Sequence, residues 1–135
     1  MLSGLPSTAW AVLKGEDPLA AVRAAGTLLP GRPDRPGLVA GALVHTGLSV
    51  GWTAVLLVIL RRLGSGVAGG VAAGVVVAAL DLGVLARHWP AVRELPQLPQ
   101  WADHVVFGAI VGAGAATRPA PTPAMADALR GAALS

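Results

Sequence analysis

The sequence predicts an all-α fold, a transmembrane helical bundle, on three observations. Two stretches, Gly37–Leu60 (GLVAGALVHTGLSVGWTAVLLVIL) and Leu63–Ala86, are almost free of charge. Each is long enough to cross a hydrocarbon layer of roughly 30 Å as a helix rising about 1.5 Å per residue. Hydrophobic residues make up 54% of the chain and charged residues 13%, and the mean hydropathy is +0.66. Soluble domains carry about 25% charged residues, so a water-soluble chain of this length could not hide so much apolar surface. Finally, small residues recur at helical spacing in each apolar stretch, as close packing between helices in lipid requires.

Taken in order, residues 1–13 (MLSGLPSTAWAVL) are apolar but too short to span, and Pro6 is expected to disturb a helix there. They lack the basic leader and A-x-A-like site of a cleaved signal. They are read as the tail of a truncated first membrane helix. An in-frame hydrophobic extension upstream of Met1 would support that hypothesis, and a stop codon directly upstream would refute it. Next, Asp17 can cap a helix and Pro18 suits its first position, which predicts a helix over residues 18–29 that ends before Pro30. Leu19, Val22, Gly26 and Leu29 share one side, as in an interfacial helix lying on a membrane surface or, equally, a plain surface connector. The loop Pro30–Gly37 (PGRPDRPG) excludes regular structure.

The first full span is 37–60, and Arg61-Arg62 is expected in the tight turn that follows it. The second, 63–86, is rich in Gly, Ala and Val and interrupted only by Asp81. Residues 87–100 form a loop whose Leu-Pro-Gln repeat favours extended backbone. The third span is 101–117, with Trp101 at headgroup level, and 118–135 is a flexible tail. With three spans, one side of the membrane carries six Lys/Arg and the other four, a difference too small to set the orientation.

Composition also excludes several functions. The formal charge of +3 comes from Arg scattered at segment ends, without the basic face that nucleic acid needs. With no Cys there is no disulfide, thiolate metal site or cysteine nucleophile. No nucleophile-elbow sequence or H-E-x-x-H pair is present, so the chain is not expected to be an enzyme, and no catalytic, cofactor or metal residue is assigned.

The polar residues that matter lie on the glycine faces. Gly37, Gly41, His45, Ser49 and Trp52 form one stripe, Gly66, Gly70, Gly74, Val77 and Asp81 a second, and His104, Gly108, Gly112 and Ala115 a third. The Gly-x-x-x-Gly pairs 37/41, 47/51, 66/70, 70/74 and 108/112 point to tight packing. Because consecutive spans run antiparallel, His45, Ser49, Asp81, Asp103 and His104 gather toward one leaflet as an intramembrane polar cluster. A charged Asp there costs about 2.5 kcal/mol or more, so such groups pair or line a cavity. One expectation is structural: a neutral His45 hydrogen-bonded to Asp81 or Ser49 that holds the bundle in register. A second is a proton or solute path through His45 and Asp81. A third is a metal held by His45, His104 and a carboxylate. Trp10, Trp52, Trp89 and Trp101 are read as interface or packing residues.

Four stretches, SGLPSTAW at 3–10, GEDPLAAVRAAGTLLPG at 15–31, ALDLGV at 79–84 and LPQLPQWADHVVFG at 95–108, together resemble a group of small multi-pass membrane proteins of GC-rich bacteria. The resemblance covers most of the chain and implies a four-helix bundle whose first helix is shortened here. It brings no activity and no residue roles. The expected function is therefore a scaffold or interaction subunit of the bacterial inner membrane. Its partners are the lipid bilayer and a further copy of the chain (a homo-oligomer) or another membrane protein, with no nucleic acid and no cofactor. The alternatives are a small channel or transporter component and, third, a metal-dependent membrane enzyme.

Overall fold

The computed structural model describes residues 4–31, 36–63 and 66–117. The expected tail at 118–135 and most of the loop between Pro30 and Gly37 lie outside the described residues. All regular structure among the described residues is helical: α1 (Leu5–Lys14), α2 (Ala20–Ala25), α3 (Leu38–Leu63), α4 (Val67–Asp81), α5 (Pro90–Arg93) and α6 (Gln97–Ala116). Single 3-10 turns follow α2 at Gly26–Leu28 and precede α5 at Leu85–His88.

Pro6 does not disturb α1. It occupies the first turn, where its missing N–H has no acceptor inside the helix and so costs nothing. The helix ends where Gly15 turns left-handed at φ 69°, which lets Glu16 N–H reach Ala11 O at 2.8 Å and Gly15 N–H reach Val12 O at 3.2 Å. That double bond pattern satisfies carbonyls a helix end otherwise leaves open.

Asp17 then caps the next turn. Its Oδ1 accepts from Leu19 N–H at 2.9 Å, and its other oxygen pairs with Arg23. The short helix that follows is more than a surface connector, because Ala24, Ala25, Gly26 and Thr27 are all buried. It docks on the start of α3 through glycine: a Cβ added at Gly41 would lie 1.6 Å from Val22 O, and one at Gly26 would lie 2.7 Å from Gly37 O. Thr27, the buried polar side chain in this contact, donates to Ala24 O at 2.7 Å.

Arg61 and Arg62 lie in the last turn of α3, not in a turn beyond it. Cations there face the open carbonyl end of the helix, which favours continuation past Leu60. The second apolar stretch divides differently from the expected 63–86. Helical bonding runs from Val67 to Val84, whose N–H reaches Leu80 O at 3.1 Å, before the chain tightens into the 3-10 turn. The Leu-Pro-Gln repeat is not extended. Pro96 caps α6, and Pro99 sits in its first turn, again where an N–H has no helical partner. Gln97 steadies this start by donating to Leu95 O at 2.8 Å and Arg93 O at 3.2 Å.

The most extensive contact among the described residues is the antiparallel seam of α4 and α6. A Cβ at Gly70 would fall 2.1 Å from Gly108 O, at Gly108 2.2 Å from Gly70 O, at Gly112 2.3 Å from Gly66 O, and at Gly74 2.4 Å from His104 O. No side chain fits between the two backbones at any of these positions. Against this seam α3 sets Leu56 and Leu60, which form the core with Val77 and Val111. α1 packs along α6.

Among the described residues two helical stretches, Leu38–Arg62 and Val67–His88, are long and apolar enough to cross a membrane. α6 is not one of them. Gln97, Gln100, Asp103 and His104 crowd polarity into its first two turns.

Candidate functional site

The helices border a half-open cavity of about 220 Å³, to which α1, α2, α3, α4, α6 and the segment joining α4 to α6 all contribute. Its walls are mostly apolar, with Val22, Leu48, Val77 and Phe107 among them. The five side chains singled out by sequence, His45, Ser49, Asp81, Asp103 and His104, all border it. Each arrives by the stripe logic of its helix. His45 and Ser49 lie one turn apart on α3, Asp81 ends α4, and Asp103-His104 opens the glycine face of α6.

Their bonding differs from the expected pair of His45 with Asp81. The partners of Asp81 are Trp52 and His104: Trp52 Nε1 donates to Oδ2 at 3.1 Å, and His104 Nε2 meets the same oxygen at 3.2 Å. Trp52 follows His45 by two turns on the same stripe of α3, and it is the indole, not the imidazole, that reaches the carboxylate. His45 is instead exposed at the cavity border. Ser49 contributes its backbone carbonyl to the Thr53 hydroxyl at 2.6 Å.

The proton inventory of the Asp81–His104 contact follows from its other bonds. His104 Nδ1 lies 2.8 Å from Gln100 O, a carbonyl that only accepts, so Nδ1 carries a hydrogen. A neutral imidazole with its hydrogen on Nδ1 presents a bare Nε2. A bare nitrogen facing a bare carboxylate oxygen makes no bond, so a proton lies between Nε2 and Oδ2, on one or the other. With that proton the pair is neutral overall, the arrangement that costs least in apolar surroundings.

Asp103 has a different task. Its Oδ1 accepts the backbone N–H of Ser7 at 3.0 Å. Gly4, at the start of α1, has no side chain to cap the helix, and Asp103 supplies the missing carboxylate from α6.

Three contributors escaped the sequence reading: Trp52 as a hydrogen-bond donor, the Ser7 amide and the Gln100 carbonyl. Trp52 carried a signal, since it completes the stripe of Gly37, Gly41, His45 and Ser49 and a buried indole N–H needs an acceptor. The two backbone groups carried none. Among the described residues no three His, Asp or Glu side chains come together closely enough to hold a metal ion, so the metal reading has no ligand set there. Comparisons with protein-family models, with curated proteins and with solved structures each find no match to this chain.

Proposed function

We propose that the chain is a multi-pass integral protein of the bacterial inner membrane, with α3, α4 and its extension, and α6 crossing the bilayer, and that it serves as a scaffold or interaction subunit. The observation that carries this reading is the bareness of α3. Only 11% of its apolar window is buried inside the protein, whereas the core helix of a soluble domain is mostly covered. Val39, Leu43, Gly47, Val50 and Val58 form one outward stripe, in which a Cβ at Gly47 would meet nothing within 4 Å. Lipid or a second apolar helix is the surrounding that such a face tolerates.

The test is fractionation. The full chain is expected to stay with membranes after alkaline carbonate washing, and in detergent to run as an oligomer that Gly47→Ile reduces to a monomer. Recovery as a soluble monomer without detergent would sink the membrane reading, and an unchanged oligomer in the variant would sink this face as its contact.

A second reading, a small channel or transporter component, draws support from the cavity and the proton-bearing Asp81–His104 pair inside it. It predicts a pH-dependent flux in proteoliposomes that Asp81→Ala and His45→Ala each abolish. Absence of flux in the unaltered protein leaves the scaffold.

A further inference from the structure

From the cavity we infer that this protein binds a small lipophilic monocation, a ring-sized organic ammonium, in exchange for the proton shared by Asp81 and His104. The inference goes beyond a scaffold role and does not require that the cation cross the membrane.

Size comes first. An engineered apolar cavity of about 150 Å³ holds a benzene molecule. The cavity here, at about 220 Å³, has room for a ring with a small charged group attached. Its walls suit the apolar part, and Trp52 and Phe107 add aromatic surface, whose faces attract ammonium groups.

Charge selects the sign of the ligand. The titratable side chains bordering the cavity are Asp81 from α4, Asp103 and His104 from α6, and His45 from α3. α1, α2 and the segment between α4 and α6 contribute none, and among the described residues no Arg or Lys borders it. An anion would find no fixed positive partner. A cation finds two carboxyl groups.

One carboxylate oxygen is also left open. Trp52 and His104 both engage Oδ2 of Asp81. Among the described residues no buried side-chain oxygen lacks a partner, so Oδ1 keeps accessible surface, and Asp81 borders the cavity. An ammonium drawn to Oδ1 adds a positive charge beside a pair that already holds one proton. Release of that proton to solvent restores neutrality: one cation enters, one proton leaves, Asp81 remains a carboxylate and His104 a neutral imidazole with its hydrogen on Nδ1.

Benzyltrimethylammonium is a suitable probe, because it carries a fixed charge and cannot itself titrate. With the full chain in lipid nanodiscs, calorimetry in weak buffer should show saturable binding that tightens as pH rises, with protons released wherever affinity depends on pH. Where the pair is protonated, affinity should fall by up to about tenfold for each pH unit lowered. The neutral isostere neopentylbenzene should release no proton. Ser49→Leu, which adds bulk at the cavity wall and leaves Asp81 and His104 in the sequence, should weaken binding at least tenfold while the helical circular dichroism stays unchanged. No saturable binding at pH 8, equal affinity at all pH values, or binding without proton release would each overturn the inference. So would unaltered binding in Ser49→Leu.

Discussion

The α4–α6 seam and the outward face of α3 use the same residue at the same spacing to opposite ends. Gly70, Gly74, Gly108 and Gly112 bring two backbones into contact, and at each of them even one methyl group would strike a backbone atom of the facing helix. Gly47 and Gly51, an equally regular pair, face open space. A Gly-x-x-x-Gly spacing thus reports that a helix can be approached closely, while the rest of the chain decides whether anything approaches. Where no segment among the described residues does, the glycine leaves an open face.

Substitutions at Gly70, Gly108, Asp81, Trp52, Asp103 and Gly47 would break or sharpen that contrast. Gly70→Leu or Gly108→Leu should have the largest effect, a loss of more than about 3 kcal/mol in unfolding free energy, since the obstruction is backbone and cannot rotate away. Titration with sodium dodecyl sulfate, followed by circular dichroism, would measure it, and near-normal stability would mean the seam is not as close as described. Asp81→Ala should cost about 1–2 kcal/mol by leaving the Trp52 N–H and His104 Nε2 without their shared partner. A double-mutant cycle with Trp52→Phe should assign about 0.6 kcal/mol of that to the indole bond, and strict additivity would deny the bond. Asp103→Ala should cost about 1 kcal/mol through the lost cap of α1, seen as faster hydrogen exchange at the Ser7 amide than elsewhere in that helix. Gly47→Ala should be the mildest, leaving stability unchanged or raised by about 0.5 kcal/mol, because the added methyl has room and the helix gains rigidity. A large loss from Gly47→Ala would show that a neighbour packs on this face too closely to admit a methyl group.

Much of this contrast was legible in the amino-acid order. Periodicity alone places Gly66, Gly70 and Gly74 on the face of Asp81, and Gly108 and Gly112 on that of His104, and the all-helical character follows from the apolar runs. Occupancy was not legible, because Gly41 and Gly47 look alike until α2 is seen resting on one and not the other. The prolines misled for a related reason. Pro6 and Pro99 break a helix only in its interior, and where a helix begins is the least certain thing in a sequence. The partner of Asp81 depended on the relative height of three helices. His45 and Trp52 lie two turns apart on one stripe, and periodicity alone does not say which of them meets Asp81. Finally, the Ser7 and Gln100 contacts use main-chain atoms, which every residue possesses and no spelling reveals.

The bond from Asp103 to the Ser7 amide joins residues 96 positions apart. During synthesis the ribosome therefore completes α1 long before its capping carboxylate exists. The cap forms only once α6 has emerged, and anything that captures α1 in the interval competes with the native arrangement.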